Sequence, residues 1–339
     1  MLSIIVPAYN AERTLKKSIE NLLGKESLEI IIVENGSTDA TTAVAEEIAT
    51  NSTNVHVIHS KKGVSNARNL GIDYASGDYL TFLDADDYLE VEELLKLYEK
   101  AKKDNLDILM GAYSRDYFNT KEEYFYLDHE KNYNEKTKLS FIKDILIPEK
   151  GVGYSCMKII RTHLLTDNKI YFNNELSHAE DAEMMFRVAM HANKIHYAPV
   201  IFYHYIFNPN SAVRKYKPDL DKLYLKSMEA ILEDMRETDT TDQFKNEFST
   251  FVNNHLLIIA VNYSFSPYNG KSYSENKKAF KELCKNDVFN DALKHPNYRS
   301  LSMTRAIPLF FAKHHMYFLL NLVVLFRHKQ FKKRSEVSN

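Results

Sequence analysis

Cysteine is nearly absent from this chain, and so is any excess of charge of one sign. Two cysteines, Cys156 and Cys284, among 339 residues make no disulfide framework, which points to a reducing compartment, the cytoplasm. A net charge of -2 leaves no broad basic field, so no nucleic-acid partner is expected. The opening residues Met1-Leu2-Ser3-Ile4-Ile5-Val6 carry no basic segment ahead of their apolar run, so no secretory leader is expected. No glycine follows that run in Pro7-Ala8-Tyr9-Asn10, and the fingerprint of dinucleotide-binding dehydrogenases is therefore missing. Near the C-terminus the apolar stretch 316–326 is eleven residues long, short of the roughly 20 that a spanning helix needs. What is present, 44% hydrophobic and 27% charged residues, is ordinary globular composition, with length for one large domain and a smaller one.

Four short runs rich in Ile and Val punctuate the first 110 residues: 3–6, 29–33, 55–59 and 79–83. They read as strands buried on both faces. Helical spacing fills the gaps at 11–23, 41–49, 65–75 and 91–103, with Ser37 or Asp39 placed to cap the second. Strand alternating with helix predicts parallel β-α-β units in an open α/β sheet, whose ligands bind beyond the carboxyl ends of the strands. Further helices are expected at 139–146, stopped by Pro148, and at 182–192, followed by an aromatic strand at 196–205. From 219 onward the pattern is helical, which places a domain boundary near 216.

Several segments carry chemistry. Asp84-Ala85-Asp86 closes the run 79–83, and carboxylates two apart on a strand point the same way. Asp84 and Asp86 are thus placed to share a hard divalent cation, and that cation to hold a diphosphate. Asp87 reads as a cap for the helix starting near Val91. Pro7, Ala8, Tyr9 and Asn10 offer a ring face and backbone groups to a nucleobase, and Glu34 offers a carboxylate to a ribose or base N–H. Lys61, Lys62 and Arg68 lie beside a helix start, a setting that favours phosphate. Glu180 and Asp181 open a helix, where acids serve the dipole or act as a general base. His204 has two readings, a packed residue of an aromatic strand or a third metal ligand. The loops 151–158, with Lys158, and 208–214, with Arg214, are candidates for the acceptor side.

Taken in order, these motifs resemble family 2 glycosyltransferases with the GT-A fold. The resemblance rests on Ile4-Ile5-Val6-Pro7-Ala8-Tyr9-Asn10, Val33-Glu34-Asn35-Gly36-Ser37-Thr38-Asp39, Ala67-Arg68-Asn69-Leu70-Gly71, Gly77-Asp78-Tyr79-Leu80-Thr81-Phe82-Leu83-Asp84-Ala85-Asp86-Asp87 and Glu180-Asp181. It covers residues 1–215, with a nucleotide-sugar half at about 1–110 and an acceptor half at about 111–215. It implies a mostly parallel sheet flanked by helices, followed by a smaller helical C-terminal region at 216–339. It also implies inverting transfer of a hexosyl or N-acetylhexosaminyl group from a nucleotide-diphosphate sugar, usually a UDP-sugar. The acceptor would be a glycan or lipid-linked glycan, as in capsule or cell-wall polysaccharide synthesis. By that similarity Asp84 and Asp86 are the DxD pair, with Asp86 the closer ligand of Mn²⁺ or Mg²⁺. Pro7, Ala8, Tyr9, Glu34 and Arg68 frame the nucleoside, and Asp181 is the catalytic base. Glu34-Asn35 departs from the family's more usual Asp-Asp. A nucleotidyltransferase acting on sugar phosphates is the alternative enzyme class, but its Gly-rich basic first loop is missing here. A non-catalytic nucleotide-sugar-binding module is the other alternative.

The C-terminal end pairs the apolar stretch 316–326 with five fixed cations, Arg327, Lys329, Lys332, Lys333 and Arg334. Residues 304–334 therefore read either as a monotopic anchor on the inner face of an anionic plasma membrane or as a helix packed on the catalytic domain.

Overall fold

The early strands form because their residues alternate between two faces that are both covered. In β1 (Leu2–Ala8), every residue but Pro7 is buried, and all of β2 (Leu28–Glu34) is buried. Leu2, Ile4 and Val6 join Ile30 and Ile32 in one apolar cluster with Leu15, Ile19, Ala45 and Ile48. These last come from α1 (Leu15–Ile19) and α2 (Thr41–Thr50). The opposite face of β1 receives α3 (Val64–Tyr74), where Gly71 lies against Ile5 so closely that an added methyl group would overlap it.

The computed structural model describes residues 1–117, 119–207 and 216–337. They fall into two compact units, 1–142 with 153–207, and 143–152 with 208–339. The first unit adds β3 (Val55–His59), β4 (Tyr79–Phe82), β5 (Tyr88–Leu89), α4 (Val91–Lys103), β6 (Ile108–Asp116), β7 (Lys121–Tyr124) and β8 (Lys131–Tyr133). After α5 (Lys138–Ile145), which crosses the division, come β9 (Lys158–Arg161), α6 (Thr162–Asp167), α7 (Glu180–His191) and β10 (Ile195–Ile206). The strand order is β3-β2-β1-β4-β9-β6-β10-β5, with β7 on β6 and β8 on β10. The first four strands are mutually parallel, as the sequence predicts. Beyond them the sheet is mixed: β9 runs antiparallel to both β4 and β6, so a late strand joins the two halves.

Expected helix 91–103 matches α4, whose Val91, Leu94, Leu97, Tyr98 and Ala101 form one buried stripe. Expected helix 11–23 is cut to α1 and a 3₁₀ turn, Glu20–Leu22. The reason is local competition. The Ala11 amide donates to Thr41 Oγ1 at 2.7 Å and the Glu12 amide to Asp39 Oδ2 at 3.3 Å, so this stretch is held by the α2 entrance.

In the second unit, α8 (Leu220–Glu237), α9 (Thr241–Ile259), α10 (Tyr273–Leu283), α11 (Asp287–Lys294), α12 (Met303–Lys313) and α13 (Tyr317–Val337) follow one another. Glu149 ties segment 143–152 to α12, accepting from the Ser302 amide at 2.9 Å and pairing with Arg305 at 3.0 Å. Both α12 and α13 are apolar on two sides. Leu309, Ala312, Tyr317, Leu320 and Val324 are buried. Met303, Ile307 and Phe310 on α12, and Phe318, Leu322, Leu325 and Phe326 on α13, stay exposed; Met303 is 71% and Phe318 60% accessible. Among the described residues no helix is long and apolar enough to cross a membrane.

Candidate active site

Strand order β3-β2-β1-β4 brings the loops after four parallel strands to one edge. Asn10, just past β1, adopts φ 50°, a left-handed conformation that Asn tolerates. Its Oδ1 accepts the Thr38 amide at 2.8 Å, and its own amide donates to Ser37 Oγ at 3.1 Å. Ala8 is buried and its carbonyl accepts the Asn35 amide, while Pro7 is half-buried. Asn35 Oδ1 in turn accepts the Gly63 amide at 2.8 Å, binding the β2 and β3 loops together. Exposed Tyr9 meets Lys62, whose Nζ donates to the Tyr9 hydroxyl at 2.8 Å and lies 4.6 Å from the ring centroid. Glu34 Oε1 accepts the Ser37 amide at 2.6 Å, and Oε2 is 3.4 Å from His59 Nδ1. Burial works to raise the Glu34 carboxyl, and the Ser37 and Gly36 hydrogen bonds overcome it, leaving it below the usual range. Of the two capping candidates, Asp39 receives the first α2 amide, Thr41, at 3.0 Å, whereas Ser37 serves Asn10.

Close approach of α3 to β1 sets Arg68, only 5% exposed, among three carboxylates. Nη1 reaches Asp181 Oδ1 at 2.8 Å and Glu180 Oε1 at 3.3 Å, and Nη2 reaches Asp84 Oδ1 at 3.3 Å. The guanidinium carbon lies 5.1 Å from the Phe172 ring centroid. Burial opposes the Arg68 charge, but Asp181, Asp84 and Glu180 outweigh it and hold the side chain firmly protonated. Arg68 thus contacts Asp84, Glu180 and Asp181 together. Ser155 Oγ donates to Asp181 Oδ1 at 2.8 Å. Sequence reasoning did not single out Ser155, though it lies in the flagged loop 151–158. Burial, then the neighbouring Asp181 charge, push the Glu180 carboxyl up to about 7.

Asp84 and Asp86 lie in a tight turn after β4, closed by the Asp87 amide donating to the Asp84 carbonyl at 3.0 Å. The turn, not strand alternation, sets their relation. Ala85 between them is buried. Asp86 is exposed, yet protein crowds it, and that crowding followed by the Asp84 charge raises its carboxyl.

Three expectations are corrected. Asp87 does not cap α4, whose N-cap position is Glu90. It is buried, accepts the Tyr203 hydroxyl at 2.6 Å and the Ile206 amide at 2.8 Å, and is pushed up to about 8 by burial and then by Asp84. His204 is not brought to the carboxylates. Tyr203 faces them, so its neighbour on β10 faces the other side. There His204 stacks on Tyr88 at 4.2 Å and its Nδ1 meets Ser114 Oγ at 2.8 Å. Lys158 offers no surface to an acceptor: it is 0% exposed and donates to the Tyr154 carbonyl. Arg214 and the rest of loop 208–214 lie outside the described residues.

Among the described residues no cluster of three or more His, Cys, Asp or Glu is disposed to hold a metal by itself. Mg²⁺ is commonly held by one or two carboxylates with substrate phosphates completing its shell. Asp84 and Asp86 are two such carboxylates in one turn, where burial first and the Asp84 charge second raise Asp86, and a cation would offset both. The residues fit such an ion.

Known proteins resemble this chain in sequence and in fold. Residues 3–167 match the model of the family described as "Glycosyl transferase family 2". EpsH of Bacillus subtilis (strain 168), whose glycosyltransferase designation is itself provisional, is 27% identical over 93% of this chain and 92% of its own length. A poly(ribitol-phosphate) beta-glucosyltransferase of Bacillus spizizenii is 27% identical over 75% of this chain and 40% of its own. The crystal structure of S. aureus TarS 1-349 in complex with UDP-GlcNAc has a TM-score of 0.68 at 20% identity, covering 97% of this chain and 92% of that one.

Proposed function

We propose, for a chain that belongs to glycosyl transferase family 2 and is a glycosyltransferase, a metal-assisted, inverting transfer from a UDP-sugar to a hydroxyl of a glycan or lipid-linked glycan. The sugar is a hexosyl or N-acetylhexosaminyl group, and the product belongs to cell-wall or capsule polysaccharide. The UDP-GlcNAc complex of TarS and the poly(ribitol-phosphate) glucosyltransferase support the donor and the setting. The observation that carries the reading is one buried guanidinium, Arg68, joining Asp84 of the Asp84-Ala85-Asp86 turn to Glu180 and Asp181 at the head of α7. We assign catalysis to residues 1–215, donor before acceptor, and attachment to 216–339.

In this mechanism Tyr9, Lys62 and Glu34 hold the nucleoside side of the donor, and Asp84 with Asp86 would hold Mn²⁺ or Mg²⁺. Such an ion, when bound, neutralises charge on the leaving diphosphate. Asp181 takes the proton of the acceptor hydroxyl as its oxygen attacks C1 from the face opposite the diphosphate. Ser155 and Arg68 fix the orientation of Asp181. Glu180, pushed up to about 7 by burial and then by the Asp181 charge, shares the Arg68 guanidinium with Asp181. The two free cysteines support a cytoplasmic setting. The exposed apolar stripes of α12 and α13 support peripheral contact with the membrane that would carry a lipid-linked acceptor.

The test is Asp181→Asn in the full chain, with Mn²⁺, a panel of UDP-sugars and UDP release as readout. Loss of a general base lowers turnover about 100- to 10,000-fold, with UDP binding retained. Normal turnover by that variant removes Asp181 from the chemistry.

A further inference from the structure

Lys158 is wholly buried and supplies the acceptor side no surface, and Arg214 lies outside the described residues. A different set of side chains lies beside the carboxylates. On β10, Tyr203 pairs in register with Tyr113 of β6, and Tyr205 with Arg115. On the other side of β6, Tyr113 pairs with Tyr124 of β7. Partners opposite one another in register share a face. Tyr203 identifies that face, because its hydroxyl donates to Asp87 at 2.6 Å and accepts the Asp84 amide at 3.3 Å. The rings thus start at the Asp84 turn and run outward across three strands.

Their contacts are continuous. Tyr113 and Tyr124 stack with centroids 4.9 Å apart and planes 10° from parallel. The Arg115 guanidinium carbon is 5.1 Å from the Tyr124 ring and 5.5 Å from the Tyr205 ring. Arg115 Nε is buried without a hydrogen-bond partner, while the side chain also bonds Tyr117. Tyr203 is buried like a core residue, but Tyr113, Arg115, Tyr124 and Tyr205 are each only half-buried. Burial, then the neighbouring Tyr154, push the Tyr113 hydroxyl up, so the exposed Tyr154 stands next to the track. Tyr154 directly precedes Ser155, which holds Asp181. One end of the ring set therefore touches the metal-binding turn, and its flank touches the loop that positions the base.

Half-buried rings with hydroxyls and a guanidinium between them match a saccharide, whose C–H faces stack on aromatics and whose hydroxyls take hydrogen bonds. We propose that Tyr113, Arg115, Tyr124 and Tyr205 form the acceptor track, binding the sugar units that adjoin the attacking hydroxyl. This rests on the transferase reading above and names its acceptor subsite. The experiment uses the full chain in saturation-transfer NMR with cellotriose, chitotriose and maltotriose as probes. UDP-induced thermal shift is measured in parallel. The expected result is saturation of at least one trisaccharide, reduced about fivefold by Tyr124→Ala and by Arg115→Ala, and restored in Tyr124→Phe. The UDP shift stays the same throughout. Silence of all three probes, or a signal indifferent to both alanine variants, overturns the track while leaving the UDP arm intact. A wild type that gives no UDP shift overturns instead the UDP-sugar donor.

Discussion

A lysine with no access to water is the residue whose role the structure changes most. Burial pushes the Lys158 ammonium down from 10.5 to about 8, against the opposing pull of Cys156 and Asp181. Because the folded pKa lies below the unfolded one, the folded chain binds the proton less readily than the unfolded chain between those values. The stability associated with this group is complete above about 10.5, and falls away as pH drops through about 8. Lys158→Met removes the buried charge and also the hydrogen bond to the Tyr154 carbonyl. Each pKa unit is about 1.4 kcal/mol, and a lost hydrogen bond returns about 1 kcal/mol. The variant should therefore be more stable than wild type at pH 7 by about 1–3 kcal/mol, with the gap closing as pH rises past 8. Denaturant melts at pH 7 and pH 10 measure it, and a gap that widens with pH refutes the assignment. Arg68 is the contrasting case, a buried cation whose three acids keep it charged. The sequence placed Arg68 in a motif and Lys158 in a loop, but not their contrasting burial, because Arg68's acid partners lie up to 113 positions away.

Among elements, strands β1, β2 and β4 were legible because burial on both faces leaves a continuous apolar run, and helix α4 because burial along one stripe leaves a helical period. The shortening of α1 was not, since the side chains that capture its first amides, Thr41 and Asp39, belong to the start of another helix. The same holds for Asp87, whose partners Tyr203 and Ile206 are 116 and 119 residues distant. His204 was ambiguous until register set it beside Ser114 and Tyr88. Along α13, Tyr317, Leu320 and Val324 are buried while Phe318, Leu322, Leu325 and Phe326 are exposed. An apolar stripe beside Arg327 and Lys329 favours an anionic interface. Phe318→Glu with Leu322→Glu should abolish co-flotation with phosphatidylglycerol vesicles. Exposed positions of this kind shift stability by about 0.5 kcal/mol or less, so the fold survives the change. A wild type that never floats with such vesicles sinks the idea.

For the whole molecule, donor binding should register as stability. Ligand at 100 times its Kd adds about 2.7 kcal/mol to the unit that binds it, a Tm rise on the order of 5–10 °C for a unit of this size. UDP with Mn²⁺ should produce that rise, and EDTA or Asp86→Ala should cancel it. An equal rise with chelator present rules out the metal pair. The architecture that makes this site also dictates when it can exist. Emerging from a ribosome, the amino-terminal strands can pair before residue 155 is made, but Arg68 then has Asp84 as its one acid. Glu180 and Asp181, which complete the set of acids around Arg68, emerge only after β9, the strand that lies between β4 and β6. A nascent or truncated product stopping short of that point would carry a half-solvated cation at its heart, and quality-control proteases would meet it as an unfinished protein rather than a small working one.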